Sequence, residues 1–298
     1  MTDELNLAKN ILYYTRFTIN ILSFIPYLLF FAVFIFGKHQ KTYVTYLNLQ
    51  LSIMCTIRTI TFFLLFGSNQ SQALCMIQAY FTLFPDFSIQ SFLTYISVIA
   101  HYYMFSPLTI SQRMKCFKII GIIIGYVLPI GLGLFFTFLG DVLPGKYDEF
   151  CWISNGRSLY IYVGIYFLLI FVNFFFILKN ICGVKNFAKN ANVDCFIFDR
   201  KLKAYLCLIC LIFFVECLGF LLTYFDENNL NGYHYINLAY LIIESLYLPG
   251  IVLIYGYTLQ TKEAIKSFFH QQQSSYNDSF SSNEEEGQTL TEFRNSYI

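Results

Sequence analysis

Charge is scarce in this sequence. Asp, Glu, Lys and Arg make up 12% of its 298 residues, against roughly 25% in a soluble domain. So few charges cannot cover a water-exposed globule of this size, which excludes the soluble class. An excess of one sign is missing as well. With Lys+Arg 19 against Asp+Glu 18, there is no domain-scale basic footprint for nucleic acid. The sequence also has no His-Glu-x-x-His, no Gly-x-Ser-x-Gly and no Walker loop, so no enzymatic signature is present. Its four histidines are scattered, which gives no support for a metal cluster, and no cofactor is expected.

Apolar and aromatic residues fill the chain instead: 57% is hydrophobic, with 35 Phe and 24 Tyr. They lie in long runs that do not alternate with a period of two, which points to membrane helices rather than barrel strands. Phe17 to Gly37 carries no charge and is long enough at about 1.5 Å per residue to cross roughly 30 Å of hydrocarbon. Further spans run from Tyr43 to Phe66, Ala73 to Phe105, Ile119 to Gly140, Leu159 to Leu178, Lys203 to Phe225 and Tyr233 to Tyr257. The expected fold is all-α, a bundle of seven transmembrane helices. Span one starts late and lacks a small-residue cleavage site, so it reads as a retained helix and not a signal peptide.

Lys and Arg in the loops set the orientation. Placing the N-terminus outside puts fourteen of them inside and four outside, with Arg58 left within the bilayer. The N-terminus is therefore expected to be extracellular and the C-terminus cytoplasmic. The chain divides into residues 1–15 outside, a transmembrane domain at 16–257, a juxtamembrane helix at 258–270 and a tail at 271–298. In the juxtamembrane segment Ile265, Phe268 and Phe269 share a face beside Lys262 and Lys266, the pattern of a helix lying along the inner leaflet. The tail is Ser-rich and carries Glu284, Glu285 and Glu286, so it cannot bury enough apolar surface to fold alone. Its hydroxyls could accept phosphate.

Of nine cysteines, only Cys75 and Cys151 fall on the oxidising side of this topology. A disulfide between them would pin the longest outer loop over the mouth of the bundle; the alternative is two unpaired thiols. A glycosylation sequon at Asn69 lies in a short outer loop, and a second at Asn277 lies in the tail.

Four ionisable residues interrupt the spans: Arg58, Asp86, Glu216 and Glu244. Intramembrane charges are costly and mark functional candidates by default. Counted from the helix ends, all four lie at middle or outer-middle depth, and Gln78 and Gln90 add hydrogen-bonding groups on span three. One reading is a ligand pocket open to the outside. The other is a structural pair, Arg58 with Asp86 or with Glu244. Pro85 beside Asp86 is expected to kink span three and free a backbone carbonyl at that level. A retinal protein is excluded because span seven contains no lysine.

Three segments carry a family resemblance. CMIQAYF opens the third span at Cys75 and Gln78; ISVIAHYYMF ends it and contains His101; FCWIS occupies the outer loop at Phe150 to Ser154. Through these the chain resembles the slime-mould cyclic-AMP receptor and cyclic-AMP-receptor-like group of G-protein-coupled receptors, which are distantly similar to the secretin-like receptors. The last span, YLPGIVLIYGY, keeps Pro249, Gly250, Tyr255 and Gly256 but departs from the family's full P-x-Q-G-F-x-N form. The resemblance covers residues 15 to 260 and itself implies the Cys75–Cys151 disulfide. It further implies a cell-membrane receptor that binds an extracellular small molecule between its outer helix halves and activates a heterotrimeric G protein. On that reading the ligand meets Arg58, Gln78, Asp86, Gln90, Glu216 and Glu244. The G protein meets the end that carries His101, Arg113, Lys115, Lys201 and Lys203, and the Ser-rich tail would serve a receptor kinase or arrestin. The rival expectation is a proton-coupled transporter titrating Asp86, Glu216 and Glu244.

Overall fold

The computed structural model describes residues 2–36, 43–64, 72–105, 107–139, 142–144, 151–153, 157–191, 196–227, 242–243 and 246–254. Helices dominate: α1 (Thr2–Phe36), α2 (Tyr43–Leu64), α3 (Gln72–Phe105), α4 (Pro107–Ile122), a π-helical turn (Ile123–Val127), α5 (Leu128–Leu139), α6 (Arg157–Ala191) and α7 (Phe196–Glu227). Residues 246–254 are helical as well. Among the described residues, four segments are long and apolar enough to cross a membrane: Gln72–Tyr102, Arg113–Leu139, Arg157–Asn186 and Leu202–Gly219. The protein is thus a helical membrane protein by length and composition. Glu244, Asn69, the juxtamembrane segment and the tail lie outside the described residues.

Helix is the local choice because each backbone N–H in lipid must find its partner within the segment. Hydroxyl side chains obey the same pressure by bonding back to their own helix. Ser52, Thr56 and Thr59 of α2 donate to the carbonyls four residues earlier at 2.8, 2.8 and 2.9 Å. Buried polar residues of this kind make α2 less apolar than its neighbours without interrupting it.

α3 is the centre of the bundle. Its most apolar window is 83% buried, whereas the corresponding windows of the other three candidate spans are 28% buried. It packs against α2, α5 and α6. Arg58 opposite Asp86 and Thr61 opposite Phe81 run α2 antiparallel to α3. Gln90 opposite Tyr166 and Ser97 opposite Asn173 run α6 parallel to it. α6 and α7 pack along each other across a short link, which makes them antiparallel neighbours.

α3 continues as one helix through Pro85. The missing proline N–H leaves the carbonyl four residues earlier, at Phe81, without its intrahelical donor. Thr61 Oγ1 of α2 faces the gap, its one proton shared between Phe81 O at 3.1 Å and Ile57 O of its own helix at 2.9 Å. The freed carbonyl expected at this level is therefore present and meets the Thr61 hydroxyl.

The fourth span departs from the uninterrupted helix that its apolar run suggested. α4 starts well before Ile119, so Arg113 and Lys115 belong to a helix and not to a loop, and Arg113 has non-helical φ −110°, ψ 20°. The π turn follows at Ile123–Val127. There the Phe92 ring of α3 lies against Gly125, where a Cβ would come within 2.2 Å of the ring, and stands edge-on to Tyr126 at 5.2 Å. Gly125→Ala is expected to cost about 1–3 kcal/mol through overpacking. Gly131→Ala, with open space around it, serves as the control. Thermal unfolding of the detergent-purified variants measures both.

The all-helical expectation also needs a small amendment. Val142–Pro144 (β1) and Cys151–Ile153 (β2) pair antiparallel, with Val142 opposite Ile153 and Pro144 opposite Cys151. Outside the helices the backbone still needs partners, and a two-stranded hairpin supplies them.

Candidate functional site

Cys75, near the start of α3, is bonded to Cys151 of β2, with their Cα atoms 5.2 Å apart. One turn further along α3, Gln78 Oε1 accepts the backbone N–H of Cys151 at 3.1 Å. Cys75, Ala79, Val142 and Cys151 form a small buried cluster of their own. The hairpin is therefore held on the N-terminal end of α3 by a covalent bond, a hydrogen bond and apolar contact. Gln78 serves as an anchor for the hairpin.

The charged layer lies two turns below Gln78. Arg58 Nε and Asp86 Oδ1 are 2.5 Å apart, and the two residues are 3% and 5% exposed. This realises the structural pairing, with Asp86 as the partner. One turn on, Gln90 Nε2 donates to the Tyr166 hydroxyl at 3.1 Å. Tyr166 in turn lies within electrostatic range of Asp86, Glu216, Tyr162 and Tyr247. Of the four intramembrane charges, Arg58 and Asp86 are in direct contact, and Asp86 and Glu216 both act electrostatically on Tyr166. Phe87 and Phe136 stack at 5.7 Å, and Tyr162 stands edge-on to both. The layer is polar on the α2 side and aromatic on the α5 and α6 side.

Further along, the polar groups pass from α2 to α6. Thr94 Oγ1 reaches Leu169 O at 3.2 Å, and Ser97 Oγ lies 2.6 Å from Asn173 Oδ1 and 3.0 Å from Leu93 O. Ser97 has one hydroxyl proton for these two oxygens, while Asn173 Nδ2 has no partner among the described residues. Turning the Asn173 amide resolves both at once: Nδ2 then donates to Ser97 Oγ, and the Ser97 proton goes to Leu93 O. Asn180 closes the seam, donating Nδ2 to Ser97 O at 3.1 Å while its Oδ1 lies 3.0 Å from His101 Nδ1. Because the Asn180 oxygen can only accept, Nδ1 is the protonated nitrogen of His101.

The α3 residues in these contacts are Gln78, Asp86, Gln90, Thr94, Ser97 and His101, spaced in multiples of three and four. A four-residue step turns about 40° past a full turn. The polar stripe therefore winds around α3, facing α2 at Asp86 and α6 from Gln90 onward.

A second polar group joins α2, α3 and α4. Tyr43 and Tyr95 both donate their hydroxyls to the Phe117 carbonyl, the former at 3.0 Å. Gly121 makes the room, since a Cβ there would stand 2.7 Å from the Tyr43 hydroxyl.

His101, expected at the partner-facing end, is half-buried in the α3–α6 seam. Arg113, Lys115 and Lys203 are exposed at that same end, and Lys201 lies on α7. The sequence reading missed Tyr166, Asn173 and Asn180. Their signal was present: Tyr162, Tyr166, Asn173 and Asn180 recur at four- and seven-residue steps, one face of a helix.

No protein-family model matches this chain, and no curated protein matches it.

Proposed function

We propose that the chain is a seven-helix G-protein-coupled receptor of the cell membrane, with its N-terminus extracellular, that binds a small molecule at the Arg58–Asp86 layer. The observation that carries this reading is the tethered hairpin. A disulfide fixes an inter-helix segment to the end of the central helix, directly above a buried layer of charge, amide and aromatic groups. A site of that composition suits a ligand with both polar and flat apolar parts. The resemblance in CMIQAYF and FCWIS supports the same reading, as does the excess of Lys and Arg at the opposite end. Ligand binding acts by favouring one of two helix arrangements, with leverage limited to its difference in affinity for them. The heterotrimeric G protein docks at the end carrying Arg113, Lys115, Lys201 and Lys203.

The test is nucleotide exchange on a panel of co-expressed G proteins, driven by a panel of candidate ligands. An active ligand is expected to raise exchange several-fold over the unliganded receptor, and Tyr166→Phe or Gln90→Ala is expected to shift its potency. Uptake driven by a proton gradient, with no ligand-dependent exchange on any G protein, would establish the transporter instead.

A further inference from the structure

Six described cysteines carry free thiols, and their surroundings differ. Cys55 is buried, Cys217 is half-buried, and Cys116, Cys182, Cys207 and Cys210 are exposed. Two of the exposed thiols share one pattern. On α4, Cys116 stands between exposed Lys115 and Lys118, and Ile119, Ile120, Ile123 and Val127 continue from it at helical spacing, 57, 41, 48 and 58% exposed. On α6, Cys182 lies between exposed Lys179 and Lys185, and Leu178, Phe175, Phe171 and Leu168 lead away from it, 38, 47, 67 and 61% exposed. Each thiol thus begins an outward-facing apolar stripe of roughly 16–21 Å at the helical rise, with ammonium groups beside it.

Both thiols also lie beside the C-terminal part of the central helix, at the level of Tyr95 to His101. Cys116 adjoins Phe117, whose carbonyl is held by Tyr43 and Tyr95. Cys182 lies two residues beyond Asn180, which is bonded to Ser97 and His101. Cys207 and Cys210 do not share that depth. Phe213 of α7 packs on Phe167 of α6 at 5.4 Å, which sets Cys207 about nine residues, roughly 13 Å, deeper into the apolar zone than Cys182.

The geometry points to Cys116 and Cys182 as a matched pair of S-acylation sites, modified by a membrane acyltransferase from long-chain acyl-coenzyme A. The cysteine sulfur attacks the thioester carbonyl, a new carbon–sulfur bond forms, the bond to the coenzyme sulfur breaks, and the thiol proton leaves on free coenzyme A. The basic flank places each sulfur at the headgroup level where such an enzyme works, and the stripe receives the chain. Cys207 and Cys210 face the same lipid but lie too deep for the enzyme to reach. The inference rests on the orientation proposed above, in which this end of the bundle is cytoplasmic.

The test is a hydroxylamine-dependent mass-tag exchange on the full chain expressed in eukaryotic cells. It is run in a Cys195→Ser background so that only described thiols are counted. Two adducts are expected, one after Cys116→Ser or Cys182→Ser, and none in the double variant, with Cys207→Ser and Cys210→Ser unchanged. Absence of hydroxylamine-sensitive adducts overturns the inference, as does their loss on changing Cys207 or Cys210. A membrane-impermeant maleimide separates the two claims. If it labels Cys116 and Cys182 on intact cells, the orientation fails and the inference with it. If it labels them only after permeabilisation and no acyl adduct exists, the orientation stands and acylation alone is overturned.

Discussion

Replacing Asp86 by Asn is expected to cost the folded bundle about 3–5 kcal/mol, the range for removing one partner from a buried ion pair. The substitution barely changes volume, so the loss reports charge and not a cavity. Arg58 would keep its full charge at 3% exposure after losing the Asp86 carboxylate, because a guanidinium cannot shed its proton. The opposite change, Arg58→Met, is expected to be milder, since a carboxyl can take up a proton and lose its charge. The double change Arg58→Met with Asp86→Leu removes both desolvation penalties and is expected to recover most of the loss. Thermal unfolding of the four proteins in detergent measures the set. An Asp86→Asn protein as stable as the original would show that the pair contributes nothing to the bundle.

Cys151→Ala is expected to cost about 2–4 kcal/mol. The bond closes a separation of 76 residues, long enough to place the chain-entropy effect toward the top of that range in a soluble protein. Two considerations oppose each other here. Helices α3 to α5 stay inserted when packing is lost, so the open chain is less free and the gain from closure smaller. Against that, the unpinned hairpin also gives up the bond to Gln78 and the contacts of Val142 with Ala79. Reductant should lower the unfolding temperature of the original protein and leave Cys151→Ala unaffected. If both respond alike, the reductant acts elsewhere.

The four candidate spans among the described residues were legible because apolar length is a one-dimensional property, and a charge-free run declares itself residue by residue. Arg58 and Asp86 were legible for the opposite reason, as isolated exceptions inside such runs. The choice of partner was not, because Asp86 and Glu244 lie at similar depth and only packing brings α2 beside α3. Asn173 and Asn180 were hidden by being neutral: two amides seven residues apart look like dilution of an apolar run until a facing helix supplies Ser97 and His101. The π turn at Ile123–Val127 left no trace in composition. It coincides with the fit of Phe92 against Gly125, a contact between residues far apart in the chain. The hairpin strands were too short for any periodicity to register.

The winding stripe on α3 also bears on how the protein meets membranes of different thickness. A bilayer slightly too thick or too thin is accommodated by tilting or sliding helices, at a modest cost per ångström of mismatch. A slip of α3 by one residue would rotate its polar groups by about 100°, breaking its bonds to α2, to α6 and to the hairpin together. α6 is tied to α3 through Tyr166, Asn173 and Asn180 and shares its register, whereas α5 meets α3 through the stacking of Phe136 on Phe87. Adjustment to the bilayer therefore falls to α5 before the α3–α6 pair, which keeps its depth.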